Sequence, residues 1–205
     1  YGIQTQRALE NFPITGYRPH KELVLALAMV KKAAALANMK VGQLEKEKAD
    51  AIIQATDEIL EGQYLDQFIV DVIQGGAGTS LNMNANEVIA NRAIEILGGE
   101  KGDYKLISPN SHVNMSQSTN DAFPTAVRIA VLKLVKNLLA ELEQLHQALL
   151  TKSEEFDDVI KMGRTHLQDA VPIRLGQEFR AYARAISRDI HRIETASEAL
   201  NEVNM

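Results

Sequence analysis

Apolar residues recur at helical spacing along most of the chain, and glycines stand where the pattern stops. The stretch "KELVLALAMVKKAAALANMK" at 21–40 consists of strong helix formers and ends shortly before Gly42. Three helices are predicted in this half, over 21–40, about 43–61 and 79–97. The segments expected to be irregular are 1–20, 98–121 and 157–172, which carry most of the proline and loop-type residues.

Two longer apolar seams dominate the C-terminal half. The first has spacings of four and three and comprises Val131, Val135, Leu138, Leu142, Leu145 and Leu149. The second repeats that spacing with Phe179, Ala183, Ile186, Ile190 and Ile193. Two such seams with a short connection predict antiparallel neighbours in a helix bundle. Because two helices alone would leave both seams partly uncovered, further helices are expected from a continuation of the chain or from partner subunits.

The predicted fold class is therefore all-α. An N-terminal helical domain is expected over 1–118 and the first part of a central helix bundle over 119–205. Pro124 is expected in the first turn of the first long helix, where a proline is tolerated. The composition agrees, because only 5% of the residues are aromatic and there is no tryptophan, which suits helices better than sheets.

Charge and residue usage exclude several classes of function. The 205 residues carry a net charge of −5, so nucleic acid is not an expected partner. The absence of cysteine excludes disulfides, thiolate zinc sites and a cysteine nucleophile, and it fits a reducing cytosol, so a cytoplasmic protein is expected. No run of 18 apolar residues occurs, so no membrane span is expected.

The stretch "VNMSQSTNDAFPTA" at 113–126 concentrates neutral hydrogen-bonding side chains directly before a predicted helix. The unpaired N–H groups and the positive dipole end of a helix start attract anions, and Ser118, Thr119 and Asn120 would add further donors. This predicts a neutral cradle for a carboxylate or phosphate. The alternative is that Ser118, Asn120 or Asp121 caps the helix and that its neighbours only form turns.

A second candidate segment, "GGAGTS" at 75–80, stands at another predicted helix start. A phosphate-binding loop would end in Gly-Lys-Ser or Gly-Lys-Thr, and the lysine is missing, which argues against a nucleotide. Thr79 is expected either to cap the helix or, with Ser80, to contribute to a small carboxylate site.

The third candidate is "GRTHLQDAVP" at 163–172, where polar residues surround His166. Since histidine titrates near neutral pH, His166 could act as a general acid or base, or as a charge-tuned donor. The alternative is a loop histidine bonded to backbone. The other four histidines show no metal-ligand spacing, and no metal site is predicted.

Three stretches together resemble the aspartase/fumarase superfamily. They are "GGAGTSLNMNANEVIANRA" at 75–93, "SPNSHVNMSQSTNDAFPTA" at 108–126 and "GRTHLQDAVPIRLGQEF" at 163–179. The first residues, "YGIQTQRALENFPITGY", look like the N-terminal arm of that superfamily. Within it, "STND" and "LQDAVP" are more similar to aspartate ammonia-lyases than to class II fumarases.

The resemblance implies an all-α homotetramer whose active sites gather segments from three subunits and need no metal or other cofactor. It implies that Thr79, Ser118, Thr119 and Asn120 bind substrate, and that Thr165 and His166 come from another subunit. Asn120 and His166 would lie near the amino group, and the other substrate-binding residues near the carboxylate beside the departing proton. The implied reaction converts L-aspartate to fumarate and ammonia through an aci-carboxylate.

The superfamily's base is implied to be a serine on a loop resembling Gly-Ser-Ser-x-Met-Pro-x-Lys-x-Asn, which does not occur in 1–205. The sequence is therefore expected to be an N-terminal part that is inactive by itself. Residues 108–111 read Ser-Pro-Asn-Ser rather than His-Pro-Asn-Asp, which argues against a second anion site of the fumarase kind. A fumarase and a non-catalytic truncated paralogue stay open as alternatives.

Overall fold

A computed structural model describes residues 1–203 of the chain, which is mostly helical, so the all-α prediction is confirmed. The helices are α1 (Ile3–Asn11), α2 (Lys21–Lys40), α3 (Lys46–Leu60), α4 (Thr79–Ile96), α5 (Thr119–Glu155) and α6 (Leu175–Glu198). The strands are β1 (Ile160–Thr165) and β2 (Gln168–Arg174), and shorter helical turns occupy Leu65–Gln67, Pro109–Val113 and Ala199–Asn201. None of the helices described here is long and apolar enough to cross a membrane.

The chain divides into two compact units whose main segments are Tyr1–Val131 and Leu132–Asn201. The domain boundary expected at residue 118 stays a prediction, and its C-terminal end at Met205 lies outside the described residues.

The core of the first unit lies among α2, α3 and α4. Its fully buried side chains include Leu27, Ile52, Ile59, Ile89 and Ile94. Burying a side chain of this size contributes roughly 1.5–3 kcal/mol, so these helices are held mainly by their shared apolar faces.

The N-terminal residues are not the irregular arm that the sequence predicts, because α1 forms over Ile3–Asn11. Two buried carboxylates hold this segment. Glu87 on α4 accepts hydrogen bonds from the backbone of α1, and Asp71 accepts from the Thr15 and Gly16 N–H groups at 2.6 and 2.8 Å. Burial alone would raise the pKa of Asp71, but these hydrogen bonds hold the pKa well below its usual range.

In the second unit, the predicted loop at 157–172 is wrong, because an antiparallel hairpin of β1 and β2 connects the long helices. At this junction α6 approaches the end of α5 closely: a Cβ on Gly176 would overlap the Ser153 carbonyl oxygen. The rings of Phe156 and Phe179 pack with centroids 5.4 Å apart. The seam of α5 is largely uncovered, with Leu138 47% exposed.

Candidate active site

The N-termini of α4 and α5 meet in the first unit, which brings two of the candidate segments together. Asn82, in the first turn of α4, donates from Nδ2 to Thr119 Oγ1, the first residue of α5, over 3.1 Å. Gly78 precedes α4 with φ +85°, and a Cβ there would overlap the ring of Phe123. The glycine therefore permits both the left-handed backbone and the close approach of α5.

Ser118 caps α5, which is one of the alternatives that the sequence left open. Its Oγ accepts from the Asn120 N–H at 3.2 Å, and its carbonyl accepts from the N–H groups of Asp121 and Ala122. Ser118 and Asn120 are exposed, whereas Thr119 is half-buried. The expectation for Pro124 is wrong: α5 begins at Thr119, so the proline lies inside the helix, beyond its first turn.

Thr79 is the first helical residue of α4, and Gly78 rather than Thr79 occupies the N-cap position. The threonine is exposed and lines a cleft of about 490 Å³ between the "GGAGTS" segment and α1. The α1 side of this cleft carries Gln4, Arg7 and Asn11. A guanidinium, neutral donors and the positive end of α4 therefore face one space, which favours an anionic ligand.

Thr165 and His166 belong to the other compact unit, where they occupy the end of the hairpin. His166 and Leu167 form its two-residue turn with φ of +50° and +61°, a conformation that usually selects asparagine or glycine. Both are exposed, and Arg164 pairs with Asp169 across the strands. Such backbone conformations at non-glycine residues are strained and occur often at functional sites.

Two residues beneath the candidate cradle, Lys31 and Asn82, were not predicted from the sequence. Lys31 is fully buried, and its Nζ lies 2.7 Å from Asn114 Oδ1 and 3.0 Å from Gln117 Oε1. A signal was present: Lys31 stands four residues from both Leu27 and Ala35 and so shares their buried face. Burial lowers the pKa of Lys31 to about 7.

Each of the two helix starts carries neutral donors of a kind that can bind a carboxylate, and the buried side chains of Lys31 and Asn82 lie behind the start of α5. Over residues 1–203, no three His, Asp or Glu side chains stand close enough to one another to hold a metal ion. The site residues themselves stay predictions, and the geometry places Thr79 and Ser118–Asn120 in one unit and Thr165–His166 in the other.

Comparison with known proteins gives extensive similarity. The family described as "Lyase" matches residues 1–205. Aspartate ammonia-lyase of Bacillus subtilis (strain 168) is 67% identical over the whole chain, which covers 43% of that relative. Class II fumarate hydratase of Halobacterium salinarum is 53% identical over 99% of the chain, again 43% of the relative. The chain thus spans less than half the length of the curated relatives that it matches.

Solved structures share the fold. A fumarate lyase:delta crystallin from Brucella melitensis superposes with a TM-score of 0.93 at 56% identity, over all of this chain and 48% of that one. A class II fumarase from Schistosoma mansoni gives a TM-score of 0.90 at 37% identity, over 99% of this chain and 43% of the other. Because the sequence family and the fold agree along the whole chain, the chain belongs to the aspartase/fumarase superfamily of lyases.

Proposed function

We propose that this chain is part of an aspartate ammonia-lyase, which converts L-aspartate to fumarate and ammonia. The observation that carries the proposal is the meeting of two helix N-termini through the bond from Asn82 to Thr119. It gathers hydroxyls and backbone N–H groups of the kind that bind a carboxylate. The 67% identity to the Bacillus subtilis enzyme supports the same reaction.

In the proposed reaction a base removes a proton from Cβ of aspartate, and the C–N bond then breaks with the electron pair leaving on nitrogen. The intermediate places a second negative charge on the carboxylate next to Cβ. Thr79, Ser118 and Thr119 would donate hydrogen bonds to that carboxylate. Donors fixed where charge develops stabilise the transition state more than the ground state, and losing one costs about 10²–10³ in kcat.

The remaining parts of the site are proposed from the superfamily. Asn120 and His166 would lie near the amino group, with Thr165 beside them on the hairpin of another subunit. The base would be a serine on a loop that this sequence does not contain. A homotetramer would supply both the shared sites and a cover for the uncovered seam of α5, where Leu145 is 45% exposed.

A fumarase is the second candidate, because the chain is 53% identical to the Halobacterium salinarum class II fumarate hydratase. The same cradle would stabilise the same type of intermediate, and water rather than ammonia would leave. The two reactions differ in the group on Cα, so substrate choice separates them.

The deciding experiment offers L-aspartate and L-malate separately to the full-length protein that carries this sequence and follows fumarate by its ultraviolet absorbance. We expect signal from aspartate and none from malate. Signal from malate alone would identify a fumarase, and silence with both substrates would refute the proposed chemistry.

Variants of Thr119 test the cradle. Thr119→Ala should lower kcat by about 10²–10³, and Thr119→Ser, which keeps the hydroxyl, should recover most of that loss. Thr151→Ala is the matched control, because that hydroxyl lies on the same helix and, within residues 1–203, donates to the Gln147 carbonyl instead. If Thr119→Ala stayed within a few-fold of the parent, the cradle assignment would be wrong.

A further inference from the structure

The charged end of Lys31 is enclosed in the first unit, on the face of α2 that packs into the core. Its side chain is 0% exposed, and its ammonium group meets two amide oxygens, Asn114 Oδ1 and Gln117 Oε1, at 2.7 and 3.0 Å. Burying such a group costs free energy unless it is hydrogen-bonded. These two bonds therefore make the position of both amides depend on the lysine.

Both amides also hold the backbone that leads into the cradle. Asn114 Nδ2 donates to the Gln117 carbonyl at 3.0 Å, and Gln117 Nε2 donates to the carbonyls of Val113 and Met115 at 3.0 and 3.2 Å. Each side chain thus uses its oxygen toward the lysine and its NH₂ group toward the loop. The segment 113–117 is folded around the lysine nitrogen, directly before Ser118.

The same network fixes the direction of a hydrogen bond at Thr119. Because the lysine donates to Asn114, the amide must present its oxygen there. Asn82 can then approach that oxygen only with its NH₂ group, and Nδ2 lies 3.2 Å from it. The same NH₂ group lies 3.1 Å from Thr119 Oγ1. The threonine oxygen is therefore an acceptor toward Asn82, and its single proton is left to point elsewhere.

We propose that Lys31 and Asn82 are positioning residues that keep the Thr119 hydroxyl proton directed at the bound carboxylate. Lys31 acts through Asn114, and Asn82 acts on the threonine itself. The inference rests on the proposed function, since it assigns Thr119 the role of a donor to substrate. It adds that the donor direction is set by buried side chains that never touch the substrate.

The first test requires no substrate. Lys31→Met keeps most of the length of the side chain and removes the donor, so the amides of 113–119 should exchange hydrogen at least tenfold faster than in the parent. Lys32→Met is the matched control: the neighbouring lysine on the same helix reaches Asp57 at 2.5 Å instead, and its removal should leave exchange in this segment unchanged. Unchanged exchange in Lys31→Met would overturn the role of the lysine.

The second test separates donor direction from simple packing, in the full-length enzyme. Asn82→Asp keeps the shape but offers only acceptors, so the Thr119 proton should turn toward it. Asn82→Leu removes both donor and acceptor and leaves the hydroxyl free to rotate. Donor direction predicts that kcat falls by about 10²–10³ in Asn82→Asp and by tenfold or less in Asn82→Leu, with kcat and kcat/KM changing together.

The opposite ranking would overturn the proposal, because donor direction requires the aspartate variant to be the less active of the two. Failure of the proposed function is distinguishable from this result. A parent enzyme inactive on both aspartate and malate would refute the lyase reaction, and the exchange comparison between Lys31→Met and Lys32→Met would still decide whether the lysine holds the segment.

Discussion

Replacing Glu87 by glutamine should release α1 from the first unit. The Glu87 side chain is 1% exposed, and its Oε2 accepts from Gly2 N, Thr5 N and Thr5 Oγ1 at 3.0, 3.0 and 2.6 Å. Its Oε1 accepts from Gln4 N at 2.9 Å. One carboxylate of α4 thus satisfies the N–H groups at the start of α1, which have no partners within that helix.

The magnitude follows from these four bonds. A glutamine is placed best with its oxygen toward the three donors, so that its NH₂ group faces the N–H of Gln4. The unsatisfied N–H costs about 1–3 kcal/mol, and three bonds to a charged acceptor become weaker neutral ones. The neutral amide costs less to bury, which offsets part of the loss. We expect a net loss of about 3 kcal/mol.

Hydrogen exchange measures this loss directly, because α1 can open without unfolding the remaining core. A loss of about 3 kcal/mol corresponds to roughly 100-fold faster exchange of the α1 amides. Glu10→Gln is the matched control, since that carboxylate lies on α1 itself and accepts from the exposed Gln6 side chain rather than from backbone. Exchange in α1 within threefold of the parent after Glu87→Gln would refute the reasoning.

Three further predictions concern stability. Lys31 has a folded pKa of about 7 against 10.5 for the free side chain, so the unfolded state binds more protons between these values. The free energy of unfolding should therefore rise with pH from about 7 to 10 by roughly 4 kcal/mol relative to Lys31→Met. It can be measured by urea unfolding at each pH, and the same pH dependence in the parent and the variant would contradict this. Gly78→Ala should cost about 3 kcal/mol, from left-handed backbone strain plus overlap with Phe123. Gly98→Ala introduces similar backbone strain, but the space around the new Cβ is open, so it should cost about 1 kcal/mol. Equal losses in the two variants would show that the overlap with Phe123 does not contribute. Leu167 has a left-handed backbone, so Leu167→Gly should stabilise the hairpin by about 1 kcal/mol and Leu167→Ala should not. Thermal unfolding measures both effects, and equal stability of the two variants would mean that the turn is not strained.

The helices that the sequence predicts well are those whose signal is local. Helices α2, α3 and α4 each combine strong helix formers with a glycine close behind the C-terminus, and both features act within a few residues. Helix α1 lacks such support. It is nine residues long and depends on Glu87, which is more than eighty residues away. A pattern within a few residues cannot indicate such a distant partner.

The hairpin was missed for a related reason. Gly163 lies within β1 and Pro172 within β2, and both residue types ordinarily indicate loops. The turn carries His166 and Leu167 instead of the asparagine and glycine that favour this backbone. A turn whose residues do not favour its backbone conformation can be recognised only when the pairing of the two strands is known.

The same distinction between local and long-range signals applies to the candidate site. The stretch around Ser118 could be predicted as a candidate cradle because many neutral donors stand together immediately before a helix, and it stays a prediction. The contacts of Lys31 and Asn82 could not be predicted, because each is made with partners on other elements. Asn114 and Gln117 belong to the same stretch of neutral side chains, but the sequence could not indicate that they face inward and hold the loop.

The anchoring of α1 by Glu87 also has a consequence for the order of events during synthesis. Gly2 and its acceptor are 85 residues apart, so the ribosome makes the start of α1 long before it makes the carboxylate that caps it. At about 5–20 residues per second, the interval is roughly 4–17 seconds. During that time the first turn of α1 lacks the carboxylate that accepts its N–H groups. The residues of α1 are made before α4, yet they are therefore expected to be among the last of this unit to reach their final place.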